Sequence, residues 1–278
     1  MRTLVLFTTV WSVYGVYGSL LRVGTERPIE KFIQYLDDYY APHPILDDTW
    51  AYPTHNEGLE RLAERMRKDK FVVGVIGSSV AAGHDNCNYD SYEKQLERTL
   101  QPLFNHYGKT IEVRNAGEGG GCGDSFRNQI FCTRNNVGDD VDAIHYSWTY
   151  FEAGEQNKDA WHETFLRWSL LMENAPVPIL MNAGSGGRDY LYKEYGKFGY
   201  NIIYLEKALK KHYNFKRAWG AIGDGMHNTT RYGADGVMFR NWHPGPLGFQ
   251  LVSDAIAKVY AKALLKAVTE PSKPKYSQ

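Results

Sequence analysis

The chain has 278 residues, 43% of them hydrophobic and 14% aromatic, enough to bury a sizeable core in one large domain. Its 32 basic and 32 acidic residues cancel, and no run of like charge stands out. That balance argues against a nucleic-acid groove or a polybasic membrane patch and leaves a small or neutral molecule as the expected partner.

The first stretch, "MRTLVLFTTVWSVYGVYGSLLR", carries Arg2, an apolar run from Leu4 to Tyr17 and a small-residue site at Gly18. This is the layout of a secretory signal peptide over residues 1–18, with the secretory-pathway lumen or the exterior as the expected location. Extended to Leu21, the run reads instead as a signal anchor, the one route by which this chain would meet a membrane. Thr8, Thr9 and Ser12 dilute it, and it is short for a bilayer span.

Two amphipathic helices, "PIEKFIQYLDDYYAPH" and "HNEGLERLAERMRKDK", fill an N-terminal extension over residues 19–70. The main domain, residues 71–266, then alternates. "FVVGVIG" reads as a strand, "SYEKQLERTLQPLFNHYG" as a helix, and "TIEVRNAG" and "DAIHYSWTYF" as strands. "DAWHETFLRWSLLMEN" reads as a helix, "VPILMNAG" as a strand, and "GPLGFQLVSDAIAKVYAKALLKAV" as a long closing helix before a polar tail, residues 267–278. Alternation of this kind predicts an α/β fold, a mostly parallel sheet with helices on both faces and ligands at the carboxyl ends of the strands.

Ser78 and Ser79 end the first strand, where such a sheet presents functional groups, and Gly77 and Gly83 allow a tight turn around them. The alternative is a polar turn whose hydroxyls satisfy a helix start. Neither G-x-G-x-x-G nor G-x-x-x-x-G-K-[ST] can be written there, so a phosphate cradle is excluded. His243 precedes a Pro-Gly turn into the closing helix and can serve a serine as base. "VRNAGEGGG" ends the second strand at Asn115, then exposes amides through Gly117, Gly119, Gly120 and Gly121, which suits an oxyanion.

Cys122 and Cys132 lie ten apart around this glycine turn and can close a disulfide in an oxidising compartment, leaving Cys87 unpaired; three buried thiols are the alternative. Asn228-Thr229-Thr230 is a glycosylation sequon. No Cys/His spacing resembles a zinc site. The run "HYSWTYF" offers either aromatic faces to a sugar or packing in a central strand.

Taken together, these residues resemble the SGNH, or GDSL-like, hydrolase superfamily. Its motif G-D-S-x-x-x-G falls on Gly77 to Gly83 with Ser79 in the nucleophile place, its asparagine-glycine block on Asn115 to Gly120, and its H-P-x-x-x-G on His243, Pro244 and Gly248. The continuation Ala82 to Asn86 is similar to a branch of secreted eukaryotic members. The resemblance implies a flavodoxin-like three-layer sandwich and a serine esterase that needs no metal or cofactor. Ser79 attacks, His243 is the base, and the amides of Ser79 and of Gly119 or Gly120 hold the oxyanion, beside Asn115. A small acyl ester, on carbohydrate for a secreted member, is the implied substrate.

Two positions depart from the family. Phenylalanine, Phe151, stands where the oxyanion asparagine of G-x-N-D is expected, and Arg240 stands where D-x-x-H has its aspartate. Asp235 or a backbone carbonyl near Arg240 is then left to orient His243. Asp224-Gly225-Met226-His227 fits D-x-x-H by letter but lacks the following turn and helix. A binding protein that keeps the fold and has weak or no catalysis is the alternative reading.

Overall fold

The computed structural model describes residues 27–41, 44–52, 56–84, 90–118, 125–148, 158–181, 189–204, 208, 211–212, 239–240, 243–244 and 246–271. The segment read as a signal peptide, Cys87, Gly119, Gly120, Cys122, Phe151, Asp224, His227, Asn228 and Asp235 lie outside the described residues.

Five strands, β1 (Lys70–Gly77), β2 (Thr110–Asn115), β3 (Ala143–Ser147), β4 (Val177–Met181) and β5 (Asn201–Ile203), make one sheet. Their order is β2-β1-β3-β4-β5 and every pair is parallel. A parallel sheet is covered on both faces, so its strands carry continuous apolar runs, and every residue of β1 after Lys70 is buried. Side chains still alternate. Phe71, Val73 and Val75 share one core with Ile111, Ala143 and Ile179, whereas Val72 and Ile76 share the other with Ile144, Tyr146, Leu180 and Ile202.

Helices α1 (Pro28–Tyr39), α2 (Ile45–Asp48), α3 (Asn56–Met66) and α4 (Tyr92–His106) cover the first face together with α9 (Pro246–Thr269). Helices α5 (Ser125–Phe131), α6 (Thr133–Val137), α7 (Lys158–Leu170) and α8 (Asp189–Tyr195) cover the second. The result is a three-layer α/β/α sandwich of flavodoxin-like strand order.

The closing helix α9, 24 residues long, shows why the first layer holds. Phe249, Val252, Ile256, Tyr260 and Leu264 recur at three- and four-residue spacing, and none exposes any surface. Burying each is worth about 1.5–3 kcal/mol. The segment before β1 belongs to this same core, since Ile29, Phe32, Leu36, Leu62 and Met66 pack into it. Lys258 of α9 is buried and ion-paired to Asp37 at 2.6 Å and Asp47 at 3.0 Å, which ties α1 and α2 to the closing helix. Tyr40 donates its hydroxyl to Asp254 at 2.7 Å, and burial raises that carboxyl to about 7. Residues next to α2 also guard the sheet edge: Trp50 bridges Ile203 in antiparallel fashion, and Ala51 N–H donates to Ile202 O at 2.8 Å.

Two further strands, β6 (Phe239–Arg240) and β7 (His243–Pro244), form a two-residue antiparallel ribbon that leads directly into α9. Among the described residues no helix is long and apolar enough to cross a membrane.

Candidate active site

The sheet order reverses between β1 and β3, so a crevice opens at the carboxyl end of β1. The chain leaves β1 there in a tight turn: Ala82 N–H donates to Ser78 O at 2.9 Å, Gly83 N–H to Val80 O at 3.1 Å and His84 N–H to Ser79 O at 2.8 Å. This turn sorts the two serines. Ser78 is fully buried, its N–H and hydroxyl both directed at Ser147 O at the end of β3, at 3.2 and 3.4 Å. Ser79 is half-exposed, and its Oγ lies 2.8 Å from His243 Nε2 although 164 residues separate them in sequence.

His243 is 8% exposed and is held from below by β7 and the start of α9. Its imidazole also meets the ring of His84, centroid to centroid at 5.0 Å and an angle of 68°. His84 is exposed, so the serine-histidine pair lies between a closed core and an open rim. Arg240 is the direct cross-strand partner of His243.

Two glycines let the turn sit where it does. A side chain at Gly77 would come within 2.7 Å of both Ala81 Cβ and Ser147 Cβ. One at Gly117 would come within 2.5 Å of the Ala82 amide nitrogen. The turn after β2 is therefore pressed onto the turn after β1. Asn115 fastens them: its Nδ2 donates to Ala81 O at 2.7 Å and its Oδ1 accepts from Gly117 N–H at 2.8 Å. Asn115 thus acts as a tether between the serine turn and the start of the glycine run. Gly119 and Gly120 follow outside the described residues.

One side chain central to this geometry carries no motif. Gln129 of α5, buried, accepts from Gly77 N–H at 2.9 Å and from Trp148 Nε1–H at 2.7 Å. Its Nε2 donates to Ala116 O at 2.7 Å and Glu118 Oε1 at 2.8 Å. A single amide thus locks the ends of β1, β2 and β3. The only sequence signal was its place on a short helix following the glycine run, and glutamines at such places are common.

One expectation needs correction. Cys132 is a free, exposed thiol, so the Cys122–Cys132 bridge is not formed. It caps the junction between α5 and α6, with its N–H given to Asn128 O at 2.8 Å. Of the two readings of the run "HYSWTYF", packing in a central strand holds for its described aromatics: Trp148 is fully buried with its indole N–H on Gln129, and Tyr146 stacks on Phe165 at 4.4 Å. Those aromatics are core.

Beneath the serine turn lies a buried polar group. Ser91, the residue before α4, is the nearest neighbour that a side chain at Gly83 would meet. Glu93, in the first turn of α4, exposes no surface, and burial pushes its carboxyl up to about 8; the Ser91 and Tyr92 hydroxyls and its own amide lie nearby without closing a bond in good geometry. Tyr92 in turn reaches His145 Nδ1 at 3.5 Å, and His145 Nε2 lies 2.9 Å from the Tyr260 hydroxyl. Desolvation lowers His145 to about 3, so its ring is neutral. Among the described residues no group of three metal-ligating side chains occurs.

No protein-family model matches the chain, and no curated protein matches its sequence. Its fold is similar to that of solved structures of a two-domain esterase (CEX) active on acetylated mannans. One matches with a TM-score of 0.58 at 13% identity, over 84% of this chain and 60% of that one. A second, co-crystallized with mannopentaose, matches with a TM-score of 0.56 at 12% identity, over 84% of this chain and 59% of that one. The chain therefore spans about 60% of the length of the esterase it resembles.

Proposed function

We propose that the protein is a serine esterase of the SGNH type that removes small acyl groups from carbohydrate. The observation that carries this reading is the 2.8 Å contact between Ser79 Oγ and His243 Nε2 at the switch point of the sheet. A serine nucleophile needs a base within hydrogen-bond reach, and a neutral imidazole with its proton on Nδ1 supplies one. The fold likeness to an esterase active on acetylated mannans supports an acetylated glycan as the substrate class.

In this mechanism His243 Nε2 takes the Ser79 Oγ proton as Oγ attacks the ester carbonyl carbon. The tetrahedral oxyanion is held by the Ser79 amide and by Gly119 or Gly120. Collapse breaks the carbon–oxygen bond to the alcohol, which leaves with the proton from His243. Water, deprotonated by the same imidazole, then attacks the acyl-serine, and the acid departs as Ser79 regains its proton. Phe151 in the family's asparagine place removes one oxyanion donor, a loss typically worth about 10²-fold to 10³-fold in rate. The reading includes a secreted protein, with a signal peptide over residues 1–18 and a glycan on Asn228.

A second reading, a binding protein with weak or no catalysis, is favoured by Arg240 in the aspartate place opposite His243. A fluorophosphonate probe separates the two. Labelling of the wild-type protein that disappears in Ser79→Ala, together with release of acetate from an acetylated polysaccharide, supports the esterase. A protein that resists the probe and releases no acetate is the binder.

A further inference from the structure

The tight turn after β1 brings a second histidine to the site. Gly83 has a φ of +71°, a backbone conformation that residues with a side chain rarely adopt, and the chain doubles back there so that His84 N–H reaches Ser79 O at 2.8 Å. A Cβ on Gly83 would stand 3.0 Å from Ser91 Cβ, so the reversal is packed closely against the start of α4. His84 is thereby fixed through its backbone, and its ring meets that of His243 edge to face at 5.0 Å. It is exposed where Ser78 and His243 are buried, and among the described residues its ring nitrogens have no hydrogen-bond partner. No step of the proposed hydrolysis uses it.

We propose that His84 is a specificity residue of the esterase: its imidazole binds a hydroxyl on the alcohol half of the ester, beside the oxygen that His243 protonates as it leaves. The proposal rests on the reading of the protein as a serine esterase. The chemistry of the two halves of the substrate selects the alcohol. The ester carbonyl oxygen goes to backbone amides, and a small acyl group offers an imidazole nothing further but C–H. The alcohol oxygen must instead come within hydrogen-bond reach of His243 Nε2, which hands it a proton on departure. Nε2 belongs to the ring that His84 touches, so the atoms around the leaving oxygen come within reach of His84. An imidazole always carries an N–H, and when neutral a lone pair as well, so it can donate to a hydroxyl or accept from one. A sugar or other polyol presents such a hydroxyl on the carbon next to the ester, and a simple alcohol does not. A hydrogen bond of ordinary net strength corresponds to about 2- to 10-fold in rate.

The test compares acetates of two ring alcohols of similar size: a methyl mannoside monoacetate, with free hydroxyls beside the ester, and cyclohexyl acetate, with none. Wild-type protein should hydrolyse the mannoside ester with the higher kcat/KM, and His84→Ala should lower the ratio of the two values about 2- to 10-fold. His84→Asn, which keeps a donor and an acceptor on a shorter side chain, should recover part of that ratio. A ratio that is the same in wild type and His84→Ala overturns the proposal; if both values have then fallen together, His84 is a prop for the His243 ring. Fluorophosphonate labelling of the wild-type protein at Ser79 keeps the two possible failures apart. Labelling with an unchanged ratio, or with neither ester cleaved, leaves the activated serine standing and removes the role of His84. Absence of both labelling and acetate release removes the esterase reading, and this role with it.

Discussion

Arg240 and His243 face each other across the β6-β7 ribbon, and His243 reaches Ser79 Oγ from that position at 2.8 Å. The cross-strand partner of His243 is thus an arginine, a residue type whose guanidinium has donors only and cannot accept a proton. In the proposed mechanism the orientation of His243 is left to a backbone carbonyl, to Asp235 or to Asp224. If a carbonyl does it, Asp235→Asn should change turnover of an ester by less than about 3-fold, while His243→Ala should lower it by several orders of magnitude. A true triad loses about 10⁴-fold when its aspartate becomes asparagine, because the imidazole takes the wrong tautomer. Steady-state rates of both variants decide, and a loss of that size in a folded Asp235→Asn protein would make Asp235 the third member.

Gln129 should be among the costliest side chains to remove outside the apolar core. Gln129→Ala strands the Gly77 and Trp148 N–H groups and the Ala116 carbonyl, and each unsatisfied buried group costs about 1–3 kcal/mol. For a domain of this size that corresponds to a fall in melting temperature of roughly 10 °C or more. Gln129→Glu keeps the acceptor for both N–H groups but turns a carboxylate toward Glu118 and Ala116 O, so its stability should recover as the pH is lowered. Calorimetry at two pH values measures both effects. A Gln129→Ala protein that melts within 2 °C or so of wild type would show that the three strand ends hold without it.

The buried Glu93 makes stability fall as pH rises. Its folded pKa, about 8, stands above the unfolded value of 4.5, so between those limits the folded state keeps a proton that the unfolded state has released. The unfolded state binds fewer protons there, and the slope of stability against pH is negative. Asp254, raised to about 7, adds to the same slope. His145 acts at the other end: held neutral down to about 3, it destabilises the fold as pH drops below 6.5. Glu93→Gln should therefore flatten the decline between pH 5 and 8 and be more stable than wild type at pH 8, by an amount on the order of a few kcal/mol. Denaturant titrations across that range test it. A wild-type protein as stable at pH 8 as at pH 5 would contradict the buried acid.

Much of the fold was legible because a doubly covered parallel sheet writes itself in apolar runs. β1 and β4 are buried at every position after their first residue, and "FVVGVIG" and "VPILM" show it. The three-residue β5, the two-residue β6 and β7, and the short helices α5, α6 and α8 were not legible, since segments of that length carry too few turns or alternations to establish a period. At the site, Ser79 and His243 were readable from the glycines and the Pro-Gly turn that frame them. Gln129 was not, because its role comes from four partners on three strand ends that only the fold brings together. Trp148 left two readings open for the converse reason. An aromatic run at a strand end looks the same in sequence whether it faces a ligand or, as here, hands its indole N–H to a buried glutamine.

The last prediction concerns Gly117, where the two turns of the site touch. Its missing side chain leaves room for the Ala82 amide, which a Cβ would approach to 2.5 Å, and for the Ala81 carbonyl carbon at 2.7 Å. Both obstacles are backbone, so no rotamer change relieves them, and Gly117→Ala must push the turn after β2 away from the turn after β1. The Asn115 bonds to Ala81 O and Gly117 N–H resist that movement, so strain is shared with the segment that carries Ser79. Overpacking of this kind costs about 1–3 kcal/mol, which a domain this large survives. The reacting geometry is less forgiving, since a misplacement of about 1 Å can lower a rate about 10²-fold. Gly117→Ala should therefore stay folded, lose several degrees of melting temperature, and react with a fluorophosphonate about 10²-fold more slowly than wild type. Asn115→Ala removes the tether without adding volume and should slow labelling less. Labelling of a folded Gly117→Ala protein at the wild-type rate would mean that the turn after β2 does not position the nucleophile.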